Sequence, residues 1–215
     1  MIKDRMAAWF RGMKRPKMAL RIPALFIAVT LMGLGVAVFD RIGFGTDPCS
    51  TMNLGISRKL GMPFGTMQLL INIAMLLVVI RFGADRIGLG TLANMVLVGY
   101  AAEFFMHVLD GIPAMNAMSL GMRIAVFVPT MLMFLVAASV YMDVEMGVAP
   151  YDALPQIIAK KSGLSFRAVR IAWDTFMMVG GFFLGSTVGA VTLVLAFGLG
   201  PMIAYVARKI EPFFS

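Results

Sequence analysis

One cysteine, one histidine and few acids set the first limits on this chain. The lone Cys49 permits no intrachain disulfide. With His107 as the single imidazole, neither a Cys/His zinc site nor a nucleophile with its base can be assembled, and no P-loop is present. An enzyme, a cofactor and a bound metal are therefore not expected. Charge is scarce as well. Only 14% of the 215 residues are charged, where a soluble domain carries about a quarter. What fills the chain is apolar: 60% of its residues, with a mean hydropathy of +0.88. That balance excludes a soluble globular domain and a disordered chain. It leaves an all-α membrane protein surrounded by lipid.

The 19 Lys and Arg outnumber the 11 Asp and Glu, a net charge of +8. A nucleic-acid binder gathers such cations on one folded face. Here seven precede residue 22 and most others flank apolar runs, so no nucleic-acid partner is expected. Six runs reach the ~20 residues that a spanning helix needs: Ile22–Phe39, Pro63–Ile80, Ile87–Leu109, Gly121–Met142, Phe166–Gly185 and Val188–Val206. An N-terminus on the inside leaves only Arg41, Arg58, Lys59 and Arg123 outside, the other fifteen of 19 cations lying inside. The positive-inside rule thus predicts six spans with both termini cytoplasmic. Residues 1–20, basic and carrying Trp9 and Phe10, are expected to form an amphipathic surface segment. The first span is expected to be retained rather than cleaved as a signal, since its run is long and no A-x-A site follows.

Shifting the sequence by 102 residues lays one half on the other. Gly45 falls on Gly147, Pro48 on Pro150, Lys59 on Lys161, Gly61 on Gly163 and Phe64 on Phe166. After a one-residue gap at Arg86, Gly88 meets Gly189, Thr91 meets Thr192 and Gly99 meets Gly200. The reading is two repeats, residues 21–110 and 111–207, followed by a short tail at 208–215. Each repeat has three spans and a short polar segment between its first and second. Three is odd, so the halves must be inverted, an arrangement that recurs in secondary transporters with the site at the repeat interface.

The short segments, residues 47–60 and 149–162, span only ~18 Å as helices, too little to cross the hydrocarbon core. Asp47 suits an N-cap, Pro48 and Pro150 the first helical position, and Gly61 and Gly163 the stop. Each segment either lies flat in the interface or dips in as a re-entrant half-helix. In the second case the positive N-terminal dipoles face the membrane centre.

GFGTDPCSTMNLGISRKLGMPFGTMQLLINI followed by IGLGTLANMVLVGYAAEFF resembles the bacterial YczE/YitT-like membrane proteins, and the likeness runs along nearly the whole chain after about residue 20. It implies a small polytopic protein of the bacterial cytoplasmic membrane. The Asp that this family usually carries two residues after the turn proline is Ser50 in the first half and Asp152 in the second.

Asp174 is the sharpest single residue. Mid-span, an ionisable side chain costs about 2.5–3.5 kcal/mol. Arg170 lies one turn earlier on the same face, and the pair is either structural or a proton or solute contact. The repeat mates of Arg170 and Asp174 are the neutral Gln68 and Asn72. Glu103 and His107 read as interfacial residues, with a proton relay as the alternative. Asn94, Thr91 and Thr192 read as helix packing or else cavity lining, and the 21 methionines as gap fillers. The function expected is a permease or channel-like transporter of a small polar or anionic solute. Its site is expected at Asp47, Pro48, Ser50, Asn72, Pro150, Asp152, Arg170 and Asp174. The alternative is a non-transporting membrane module that captures a ligand or partner. The expected partners are the lipid bilayer, the solute, and a second copy or another membrane protein.

Overall fold

The computed structural model of the protein describes residues 18–112, 118–198, 202, 205 and 206; the expected amphipathic segment, all but its last residues, and the C-terminal tail lie outside them. Among the described residues every regular element is helical. Helix α1 is Met18–Arg41, α2 is Pro48–Leu60 and α3 is Phe64–Gly83. Helix α4, Leu89–Asp110, is α-helical over Leu89–Ala93 and Gly99–Asp110 and π-helical over Asn94–Val98. Then come α5 (Leu120–Asp143), α6 (Pro150–Ser162) and α7 (Phe166–Phe183). Residues 190–198 are helical too.

Four helices are long and apolar enough to cross a membrane: α1, α3 with the 3₁₀ turn after it (Phe64–Arg86), α4 and α5. Helix α7 reaches 18 residues but holds Arg167, Arg170 and Asp174, and the last expected span runs beyond the described residues. The outward faces are apolar. Leu77, Phe104, Leu132 and Phe176 stand 60–64% exposed, which suits hydrocarbon and not water. Helix α3 is inverted relative to a soluble helix. Its buried stripe of Gln68, Asn72, Met75, Val79 and Gly83 carries the polar side chains inward.

Local chemistry ends the short helices where the sequence expects. Gly61 (φ 63°) and Gly163 (φ 72°) take the left-handed conformation that closes α2 and α6, a shape open to glycine without a Cβ penalty. The Met62 N–H then reaches back to the Ser57 carbonyl at 3.0 Å.

Tertiary packing crosses between the halves. Helix α1 runs along α5 and α4, α2 lies against α7, and α6 lies against α3. Small residues permit the close crossings, which in a membrane do the work that hydrophobic burial does in water. Gly55 meets Gly181 and Leu184, Gly65 meets Gly99, and Gly33 meets Ala101. Two loops are pinned in matching fashion. The Gly90 N–H donates to the Met146 carbonyl at 2.6 Å, and the Val191 N–H to the Phe44 carbonyl at 3.0 Å.

Candidate functional site

Asp47 ends the loop before α2 in an extended conformation. Its carboxylate accepts the Ser50 N–H at 3.0 Å, and Pro48 takes the first helical position. This is an N-cap worth about 1 kcal/mol. Ahead of α6 the matching position is Ala149, which supplies no side-chain cap, but Asp152 lies in the first turn of that helix. The N-terminal turns of both helices open on one cavity of about 80 Å³. Helices α1, α3, α4, α5 and α7 complete its wall, contributing among others Val36, Gln68, Asn72, Asn94, Tyr141 and Arg170.

Of the eight residues singled out from sequence, Asp47, Pro48, Ser50, Asn72, Asp152 and Arg170 line this cavity. Pro150 sits between the lining residues Ala149 and Tyr151. Asp174 stands behind the wall, 1% exposed, and touches the cavity only through its partners.

Those partners form a hydrogen-bonded ion-pair network. The Arg170 guanidinium donates to Asp174 at 2.8 Å through Nε and to Asp152 at 2.5 Å through Nη1. It also lies over the Tyr151 ring, 5.1 Å from its centroid. The Tyr151 hydroxyl donates to the other oxygen of Asp174. One cation thus ties α6 to α7 through two carboxylates, and Arg170 and Asp174 do form the ion pair their spacing suggests.

The opposite wall is unsaturated. Asn72 donates its amide N–H to the backbone carbonyl of Gln68 at 2.9 Å, which turns its side-chain oxygen the other way. That oxygen and the side-chain oxygen of Gln68 have no hydrogen-bond partner, although the residues are 2% and 4% exposed. A buried oxygen without a partner costs free energy that a bound water or ion would offset. The π-helical stretch of α4 lies here as well, with Asn94 and Val98 on the cavity wall, a position where such bulges often serve function.

Sequence reasoning treated Gln68 only as the neutral mate of Arg170 and left Tyr141 and Tyr151 aside. An i, i+4 amide pair in an otherwise apolar helix was the available signal. Glu103 and His107 form no carboxylate–imidazole pair. The Glu103 carboxylate accepts the Gly65 N–H at 2.8 Å, at the start of α3, and the His107 ring meets the Glu103 backbone carbonyl. Both line a separate cleft with the ion pairs Arg58–Asp40 (2.7 Å) and Arg41–Asp110 (2.6 Å). Thr91 accepts the Gly88 N–H at 3.0 Å and donates to the Val148 carbonyl at 2.8 Å, which is packing between the halves and not cavity lining.

Apolar helices around a small cavity that holds charged and amide side chains, with two short helices bringing their N-terminal turns to it, define a helical integral membrane protein. Residues 19–208 match the model of a family of unknown function (DUF6198), and the chain belongs to that family. It is 22% identical over 192 residues to YczE of Bacillus subtilis (strain 168), described as an uncharacterised membrane protein, covering 89% of this chain and 87% of YczE. YyaS of the same organism is 23% identical over 185 residues, 86% of this chain and 90% of YyaS. A Haemophilus influenzae protein is 26% identical over 184 residues, 86% of this chain and 82% of its own length. No solved structure matches the chain.

Proposed function

We propose that this chain is a small permease of the bacterial cytoplasmic membrane, six spans in two inverted repeats, moving a small polar solute through the cavity between the halves. One observation carries the reading: two short helices from different halves bring their N-terminal turns to a single cavity that Gln68, Asn72 and Arg170 also line. Helices interrupted at a site, with their ends facing it, are how transporters place polar chemistry inside a bilayer. The repeat itself has independent support. Helix α5 begins and ends 102 residues after α1, as α6 does after α2. The Gly90–Met146 and Val191–Phe44 hydrogen bonds are one contact made twice, with the halves exchanged. Both short helices are re-entrant in this reading, both termini are cytoplasmic by the cation bias, and no catalytic chemistry takes place.

A second reading, a capture module without flux, is favoured by the size of the cavity, about 80 Å³, which is small for a solute pathway. Cys49, the sole thiol, lines that cavity and separates the two. Alternating access predicts that an impermeant maleimide labels Cys49 both in intact cells and in inverted vesicles, each at a slow, gated rate. Labelling confined to one side under all conditions would leave no pathway and favour capture.

A further inference from the structure

Carboxylates outnumber cations at this cavity, and each short helix brings an acid to it, Asp47 before α2 and Asp152 in the first turn of α6. The Arg170 guanidinium is divided between Asp152 and Asp174, and the Tyr151 hydroxyl is given to Asp174. The α2 N-terminus is already answered by the Asp47 carboxylate, and the first turn of α6 holds Asp152. An anion would meet a carboxylate at each of those helix ends. On the other side stand the partnerless oxygens of Gln68 and Asn72. Asp47 lines the same cavity, and among the described residues no Lys or Arg forms an ion pair with it. Three carboxylates, counting Asp174 behind the wall, face one guanidinium.

The geometry points to a site for a small monovalent cation, an alkali ion or ammonium, held by the Asp47 carboxylate and the side-chain oxygens of Gln68 and Asn72. This deepens the permease reading and rests on its placing of the solute site in this cavity. Oxygen donors suit such ions, and broken helices in transporters use them for that purpose. A divalent ion wants a denser acid set, and among the described residues no three acid, His or Cys side chains gather to hold a metal. A volume of about 80 Å³ admits such an ion with one or two waters.

The test is thermal unfolding of the full-length protein in detergent at constant ionic strength. N-methylglucamine chloride is replaced stepwise by sodium, potassium or ammonium chloride. A ligand that binds only the folded state stabilises it in proportion to the logarithm of its concentration above the dissociation constant. The melting temperature should therefore climb with at least one small cation, and the preferred salt says which. Asp47→Asn keeps a good N-cap while removing the charge, so it should fold and lose the dependence. Asn72→Ala should weaken the cation by about tenfold, the worth of one charge-assisted hydrogen bond, and Asn72→Asp should tighten it. Asp110→Asn, in the separate cleft, should leave the dependence intact. Identical melting curves in all salts for wild type and Asn72→Asp would overturn the site, leaving water as the occupant of the cavity. So would a cation dependence that survives Asp47→Asn. Cation binding with one-sided Cys49 labelling would keep this site and sink the permease. Two-sided labelling without cation dependence would do the reverse.

Discussion

Arg170 and Asp174 on α7 and Gln68 and Asn72 on α3 hold matching positions 102 residues apart, yet the two pairs have opposite fates. On α7 the hydrogen bonds of the guanidinium and of both Asp174 oxygens join α6 to α7. On α3 two amide oxygens are buried with nothing to accept from. A charge-paired buried network fixes a structure, since breaking it strands charge. An unsaturated wall gains free energy only when something arrives. The difference separates an anchor from a receptor within one cavity, and each prediction below presses on it.

The largest effect should follow Arg170→Met. It leaves Asp152 and Asp174 buried near each other without a cation, and losing one partner of such a network costs about 3–5 kcal/mol. Thermal unfolding in detergent should show a large drop in melting temperature. The double variant Arg170→Gln with Asp174→Asn copies the chemistry of α3 onto α7 and should recover more than half of that loss. If the double variant melts with the single one, the anchor depends on Arg170 packing against Tyr151 and not on charge balance.

Next come positions where the halves should respond alike. Gly45 (φ 79°) and Gly147 (φ 112°) both adopt a left-handed backbone, and a Cβ on either would press on a threonine and a glycine backbone of the other half. Alanine at either should cost about 1–3 kcal/mol through strain and overpacking. Equal losses at the two sites would sharpen the view that the halves share a scaffold and differ only at the cavity. Smaller still, Thr91→Val should cost about 1 kcal/mol and Thr192→Val less. Thr91 makes bonds of 3.0 and 2.8 Å across the junction, whereas Thr192 accepts from Gly189 at 3.4 Å.

How far the sequence foretold this arrangement depends on the range of the interaction. Spans α1, α3, α4 and α5 were legible because lipid asks for long apolar runs, a property local to each segment. The Asp47 cap and the Gly61 and Gly163 stops were legible for the same reason, being matters of one turn. The register of glycines and prolines brought six of eight chosen residues to one cavity. Long-range geometry was not legible. Glu103 meets the Gly65 N–H only because α4 crosses α3 where Gly65 and Gly99 touch, a partner that its spacing from His107 could not suggest. The π-helical stretch Asn94–Val98 leaves no mark in LANMVLVG. Nor could sequence distinguish flat short helices from ones that reach a cavity, because amphipathic content suits both.

The smallest expected effect on stability is the most informative. Asn72→Leu removes an oxygen that has no partner and one N–H donated to the Gln68 carbonyl at 2.9 Å. Deleting an unsatisfied buried acceptor returns its desolvation penalty, while the lost donor costs about 1 kcal/mol, so the terms oppose each other. In N-methylglucamine chloride the variant should melt within a few degrees of wild type, its stability changed by less than about 1 kcal/mol. Isosteric leucine also leaves no cavity to pay for. Any polar residue serving as anchor would behave otherwise, as Arg170 should. A fall of the size expected for Arg170→Met would mean that Asn72 is bonded in the folded protein, and the division of the cavity into an anchoring wall and a receiving wall would collapse. Near-neutral stability together with loss of the sodium, potassium or ammonium response would place the cost of that orphan oxygen where the argument needs it, in binding and not in folding.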